Sequence, residues 1–295
     1  MFSKKKIIIT HNGGFHADDA FAVATLSLLH RGKAKVIRSR EPQDWARGDY
    51  VVDVGGEYDP AKKRFDHHQK GGAGTRENGV PYAAFGLVWK EYGAAVSGSA
   101  DIAARIDKDL VQPIDALDNG VGESQPIIGD VFSYDVSRAV SALNASWRES
   151  ASDDECFARA VEHARGVIER LIVHITAAIE GAEMVRTAYE KAGDKRIIAL
   201  DINVPWEEYI GGKPDVIFMV VPRENGTWGA RAIRKDRTSF DNRKSFPEAW
   251  AGLRDAELAR ATGVADALFC HNKRFLAVAG TRTGAIALAQ KALEP

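Results

Sequence analysis

The stretch "IIITHNGGFHADDAFAVATLSLLHRGKAKVIRS", residues 7–39, decides how this chain is read. Ile7–Thr10 is an apolar run of strand length. From Asp18 to His30 the apolar residues Phe21, Ala24 and Leu28 recur on one helical face, and Gly32 follows as a stop signal. Lys35–Ser39 is a second short strand. Strand, helix, strand in this order predicts a parallel sheet covered by helices. The first junction is chemically dense: His11, His16, Asp18 and Asp19 fall within it, in a chain with 8 histidines.

The alternation continues outward. Tyr50–Gly55 predicts a buried strand ending in glycine, Arg64–His68 a short polar strand or turn, and Tyr82–Gly93 and Ile102–Leu110 helices. Asp153–Gly193 is the longest helical pattern, with Gly166 and Gly181 as points of bending or breaking. From Lys195 the texture changes. "RIIALDI" (196–202) is a strand, and "DVIFMVVPRENGTWGARAIR" (215–234) a hairpin with Asn225-Gly226 in its turn. Two more short strands and a final helix, Gly284–Leu293, complete the pattern. The expectation is an α/β protein of two lobes. Residues 1–193 form a parallel-sheet domain with flanking helices, ending in a long linking helix; residues 194–295 form a smaller α/β lobe.

Composition narrows the function. Of 295 residues, 45% are hydrophobic and 27% charged, a globular profile with a sizeable core. The net charge of −1 argues against long, sequence-independent duplex binding, which needs many phosphate contacts. Two distant cysteines, Cys156 and Cys270, make neither a disulfide framework nor a zinc knuckle. The apolar run after the N-terminal lysines is too short for a signal peptide, and no stretch is long enough for a membrane helix. These features predict a cytoplasmic protein without a membrane partner; a homo-oligomer stays open.

A second cluster, "VVDVGGEYDPAKKRFDHHQ" (51–69), puts Asp53 at the end of an apolar strand and Asp66, His67 and His68 in succession. Ligands of open parallel sheets bind outside the carboxyl ends of the strands. His11, Asp53 and His67-His68 therefore converge on one rim if the strands are parallel. In "PIDALDNG" (113–120), Asp115 and Asp118 share a helix face, and Asn119-Gly120 marks a turn. The donors are imidazole and carboxylate without thiolate, a set suited to manganese, magnesium, iron or zinc. More carboxylates than one ion needs points to two ions, which together lower the pKa of a water and neutralise charge on phosphorus oxygens. Asp19 sits where a helix cap belongs, leaving Asp18 free for metal. His30, His163 and His174 lie on helical patterns and read as surface or satisfied polar residues.

These motifs resemble the DHH phosphoesterase superfamily. Within it, "THNGGFHADDA", "VVDVGGEYDP…RFDHHQ" and "DALDNG" look like the melanocyte-proliferating-gene type of metal-dependent hydrolase. "FPEAWAGLRDAELARATGVADALFCH" (246–271) and "TRTGAIALAQKAL" (281–293) extend the likeness. The resemblance implies two divalent ions, Mn2+ or Mg2+, and 3′-to-5′ exonuclease action on RNA or short oligonucleotides. It gives one ion to His11, His16 and Asp53, and the other to Asp18, Asp53, His67 and Asp118. It sets His68 against substrate, touching a phosphate oxygen or protonating the leaving oxygen, with Asp66 orienting the histidines. The residues themselves rank Asp115 below Asp118, as a support behind the ligands, an alternate ligand or a surface acid.

The chain departs from the superfamily in its C-terminal lobe. Where a glycine-rich stretch ending in His is common, it reads Ala277-Val278-Ala279. Arg231, Arg234, Arg243 and Arg282 are candidate phosphate contacts, Trp228 a base-stacking residue, and His271 a strand-end histidine of interest. The main expectation is a two-metal phosphodiesterase. Its rivals are a pyrophosphatase or small-nucleotide phosphatase, and a nucleotide- or RNA-binding module without catalysis.

Overall fold

The computed structural model describes residues 5–122, 126–236 and 239–294. It is a mixed α/β protein with two five-stranded sheets among these residues. Two compact units emerge, Met1–Ile175 and Thr176–Pro295.

In the first unit the order is β1 (Lys6–Thr10), α1 (Ala17–Leu29), β2 (Ala34–Arg38), a short α2 (Pro42–Trp45), β3 (Tyr50–Val52), β4 (Tyr58–Asp59) and β5 (Arg64–Phe65). The helices α3 (Ala84–Ser97), α4 (Ala100–Ile106), α5 (Gln112–Asp118) and α6 (Val136–Ser141) follow. A π-helical turn, Asp107–Val111, joins α4 to α5 where the sequence suggested one helix to Leu110. The sheet order is β2-β1-β3-β5-β4. β1, β2, β3 and β5 run parallel, and only β4 is antiparallel. The carboxyl ends of β1, β3 and β5 therefore lie on one edge.

One face of this sheet carries Ile9, Val51 and Val54, packed with Trp45 of α2. α1 packs against the sheet and against α3, α5 and α6. Its residues Ala17 to Leu26 are all buried, although the sequence reads as amphipathic. A helix enclosed on every side buries small and apolar residues all round. That enclosure has a consequence: the two acids in its first turn, Asp18 and Asp19, are both wholly buried.

α7 (Asp153–Lys191) runs unbroken through Gly166 and Gly181. The division between the compact units falls inside it, whereas the sequence pattern set the boundary near Gly193. The physical basis is packing. Phe157, Ala160, Ala164 and Ile168 are buried in the first unit, while Val185 joins the apolar cluster of the second.

The second unit holds β6 (Ile197–Ala199), α8 (Glu207–Gly211), β7 (Phe218–Pro222), β8 (Trp228–Ala232), α9 (Asp255–Thr262), β9 (Ala267–Cys270), β10 (Leu276–Ala279) and α10 (Arg282–Leu293). The sheet order is β6-β7-β8-β10-β9, with only β6 and β7 parallel. Strand alternation divides its core. Phe218 and Val220 face one apolar cluster that includes Leu288 of α10, and Met219 and Val221 face another that includes Val185 and Ile210. Gly226, in the β7–β8 turn, has φ +79°, as an Asn-Gly hairpin turn requires. No helix among the described residues is long and apolar enough to cross a membrane.

Candidate metal centre

Three strand ends deliver the first donors. Directly after β1 comes His11, after β3 comes Asp53, and after β5 come Asp66, His67 and His68. α1 brings Asp18 and Asp19 at its N-terminus, and α5 brings Asp118 at its C-terminus. His11 Nε2 stands 3.2 Å from Asp19 Oδ2 and 3.3 Å from Asp53 Oδ2. His67 Nε2 stands 3.1 Å from Asp118 Oδ2 and 3.4 Å from Asp53 Oδ1. Asp18, His67 and Asp118 form one group of converging donor atoms, His11, Asp19 and Asp53 another, and Asp53, His67 and His68 a third. Asp53 belongs to two of them.

The donor set fits divalent cations by a structural criterion. Asp19 Oδ2, Asp53 Oδ1 and His67 Nε2 are buried without a hydrogen-bond partner. Asp19 and His67 fall in different donor groups with Asp53 common to both, and buried polar atoms left in this way are costly unless a proton or an ion completes them. Asp53 also has φ +53°, a left-handed conformation uncommon outside glycine, which turns the carboxylate in from the strand end.

The electrostatics follow from crowding. Burial opposes protonation of His11, but the Asp19 and Asp53 carboxylates outweigh it and push the imidazole up to about 10. His67 is pushed up to about 11 by Asp118 and Asp53 against the same burial. Burial and the neighbouring Asp53, Asp118 and Asp115 hold Asp18 well above the usual carboxylate range. For Asp53, burial is overcome by His11 and His67, which keep it ionised and below that range. A cluster that draws protons onto its imidazoles will also draw a cation.

Around these donors the fold supplies supports. Asp18 accepts the backbone N–H groups of Ala84 (2.9 Å) and Phe85 (2.7 Å), and so caps α3 from another helix. Asp115 does not reach the donor groups. Its carboxylate accepts Gly86 N–H at 2.9 Å and pairs with Arg76 at 2.7 Å. Asp66 accepts from Gly56 N–H and bonds His68 Nδ1 at 2.8 Å. A carboxylate only accepts, so Nδ1 carries the proton and Nε2 of the exposed His68 faces outward.

Some placements differ from the sequence reading. Asp19 does cap α1, through Oδ1 on His16 N–H, but its Oδ2 reaches His11. His16 is exposed at the start of α1 and is not in any of the three groups. Sequence reasoning missed Arg38, whose guanidinium donates to the carbonyls of His11 and Gly13 and lies 4.6 Å over Phe157. It also missed Asn144, whose amide clasps both backbone groups of Phe15 at 3.0 Å. Together they pin the loop between β1 and α1. No local signal marks either residue.

The C-terminal candidates separate. Arg231 and His271 line one pocket, while Trp228 pairs with Ala279 at the other end of the β8–β10 ladder. Arg282 is there too, ion-paired to Asp201 at 3.0 Å. At the start of α10 the chain provides its own anion, since Asp266 accepts Thr281 N–H at 2.8 Å. Arg243 spends its guanidinium on backbone carbonyls, including that of Val216 at 2.8 Å.

The chain is similar in sequence to known proteins over nearly its whole length. A "MYG1 protein" of Saccharomyces cerevisiae is 32% identical, aligned over 98% of this chain and 96% of its own length. A human "MYG1 exonuclease" is 32% identical over 96% of this chain and 85% of its own. A Caenorhabditis elegans "MYG1 protein" is 31% identical over 98% and 95%. Residues 7–293 match the MYG1 exonuclease family, described as an uncharacterised protein family (UPF0160). The match takes in every donor of the centre and both sheets, and the chain belongs to the MYG1 family.

Proposed function

We propose that this chain is a divalent-metal phosphodiesterase of the DHH type, removing nucleotides from the 3′ end of RNA or short oligonucleotides. The observation that carries the reading is the convergence of His11, Asp53, His67, Asp18 and Asp118, with the buried orphan atoms of Asp53 and His67 among them. The exonuclease named among the relatives supports the substrate class.

Two Mn2+ or Mg2+ ions are assigned. His11 and Asp53, with Asp19 Oδ2 beside His11, would hold one, and His16, which lies outside the converging groups, would have to turn inward to join it; Asp18, Asp53, His67 and Asp118 would hold the other. When bound, such ions lower the pKa of an attacking water and neutralise charge developing on the phosphoryl oxygens. The chain's own contribution is to fix the donors. Asp66 holds the His68 ring through Nδ1–H with Nε2 turned outward; Nε2 would deliver a proton to the leaving oxygen only when it too is protonated, with the ring as an imidazolium paired to Asp66. Arg38 and Asn144 hold the loop that carries His11. The chemistry is assigned to residues 1–193, and residues 194–295 to holding substrate, within a cytoplasmic enzyme.

The test is turnover of a 5′-labelled short RNA with Mn2+, comparing the parent with Asp53→Asn and His67→Ala. A ladder shortening stepwise from the 3′ end, lost in both variants, is expected. An intact RNA despite bound Mn2+ overturns the exonuclease reading. Release of orthophosphate from pyrophosphate would then favour the pyrophosphatase alternative.

A further inference from the structure

The second unit contains a cavity of about 1080 Å³ that the metal centre does not use. It lies on the sheet face opposite α10. Along β8, Ala230 and Ala232 enter the core beneath α10, so Arg231 between them points the other way, into the cavity. Its size is that of a small-molecule site.

The chemistry of the wall is specific. Arg231, Arg234 and Lys273 line it, and none has an acidic partner among the described residues. Three acids also line it, each with a partner: Glu207 accepts Trp206 N–H at 3.1 Å, Asp236 accepts Ser239 N–H at 2.7 Å, and Glu208 also has an interaction partner. Two aromatic rings stand beside the cations. Phe240 is 85% exposed, with the Arg234 guanidinium 4.6 Å from its centre, and Phe275 is 39% exposed. The His271 ring packs 4.4 Å from Phe275. Its Nδ1 accepts Lys273 N–H at 3.0 Å, so the ring proton sits on Nε2, a donor. Arg243 keeps the wall in place by donating to the carbonyls of Gly211, the last residue of α8, and of Val216, just before β7.

Unpaired cations with a neutral donor select a phosphate, and exposed flat rings select a base. We propose that this pocket binds a nucleotide, with its phosphate against Arg231 and Lys273 and its base on Phe240 and Phe275. The proposal rests on the nuclease reading for its choice of ligand, but the site is separate from the metal donors. The nucleotide is either a unit of the single-stranded substrate or a released mononucleotide, and the same chemistry recognises both.

The experiment is calorimetric titration of the full chain with adenosine 5′-monophosphate, adenosine, inorganic phosphate and a short single-stranded RNA. It is run with Mn2+ and again in EDTA, where no strand is cleaved and the metal centre contributes nothing. The monophosphate or the RNA should bind in EDTA, with adenosine weaker by roughly tenfold. The double variant Arg231→Ala/Lys273→Ala should weaken binding by roughly tenfold or more. Phe240→Ala should weaken it by roughly five- to a hundredfold, the loss of one stacked base. All three side chains are solvent-exposed, so unchanged thermal unfolding will certify the variants. Binding of the RNA without the free nucleotide assigns the pocket to the strand; binding of both assigns it to either source. Absence of binding in EDTA, binding untouched by the variants, or inorganic phosphate competing as well as the nucleotide overturns the proposal. Asp53→Asn separates the two readings. If it abolishes turnover while the parent binds no nucleotide in EDTA, the pocket fails and the nuclease stands. If nucleotide binds the pocket but no strand is ever cleaved, the reverse holds.

Discussion

Arg76 is the most consequential support outside the donor set, and replacing it by methionine tests the electrostatic argument directly. Its side chain is 8% exposed and pairs with Asp115, which is fully buried, at 2.7 Å and with the more exposed Asp107 at 2.8 Å. The guanidinium also lies 4.1 Å over Tyr82. Asp107 can turn to water when Arg76 is gone; Asp115 cannot. Removing one partner of a buried pair costs about 3–5 kcal/mol, because the other charge is left uncompensated. Arg76→Met is expected to lose that much in urea unfolding followed by tryptophan fluorescence. Arg76→Met/Asp115→Asn should recover more than half, since the amide oxygen still accepts Gly86 N–H.

The loss must also depend on pH with a fixed sign. Burial pushes Asp115 up and Arg76 pulls it down, with the net value about 7 against an ordinary 3.8. Without Arg76 the carboxyl moves higher still. A folded-state pKa raised above the unfolded value gives stability that is present below the unfolded value and lost as pH rises through the folded one. The deficit of Arg76→Met should therefore be larger near about pH 8 than near about pH 5. A loss below about 1 kcal/mol, or one that grows as pH falls, refutes the reasoning, since that is how an exposed pair behaves.

Gly86→Ala would drive a Cβ from the first turn of α3 into the Asp115 carboxylate and the Arg76 guanidinium. It should cost about 1–3 kcal/mol of overpacking, and an unchanged thermal midpoint refutes the close approach. The same turn is capped by Asp18, so Mn2+ affinity should fall with it. At neutral pH His11 and His67, raised to about 10 and 11, both carry protons that a metal ion must displace. Titration with Mn2+ in buffers of different ionisation enthalpy should show proton release, with affinity rising as pH rises; binding without release contradicts the assigned ligands. In chelator the sign reverses for stability. What these two imidazoles contribute is fully present below their ordinary 6.5 and is lost as pH rises through about 10 and 11.

The parts of the centre that were legible in the sequence are those fixed by chain neighbours. Ile7–Thr10 and Tyr50–Val52 are strands because apolar residues run together there, and a donor following each must lie at a strand end. Once βαβ alternation makes the strands parallel, His11, Asp53 and His67 share an edge whatever else the protein does. The long helix from Asp153 and the Asn225-Gly226 hairpin were readable for the same reason: period and turn chemistry are local.

What depended on tertiary structure was how distant groups are paired. Asp18 and Asp19 are adjacent and chemically equivalent in the sequence. Only the complete burial of α1 makes both functional groups of the interior, with Asp18 capping α3 and Asp19 dividing its oxygens between a cap and His11. Asp115 and Asp118 share a helix, yet Arg76, 39 positions before Asp115, draws one of them out of the donor set. Asn144 reaches Phe15 across 129 residues. Arg231 and Trp228 lie on one strand, and the sheet sends them to opposite ends of its ladder. Sequence determines which groups are available and at which strand ends they emerge; the desolvation and close packing of the folded core determine which of them meet, because a buried charge must find its partner there or an ion.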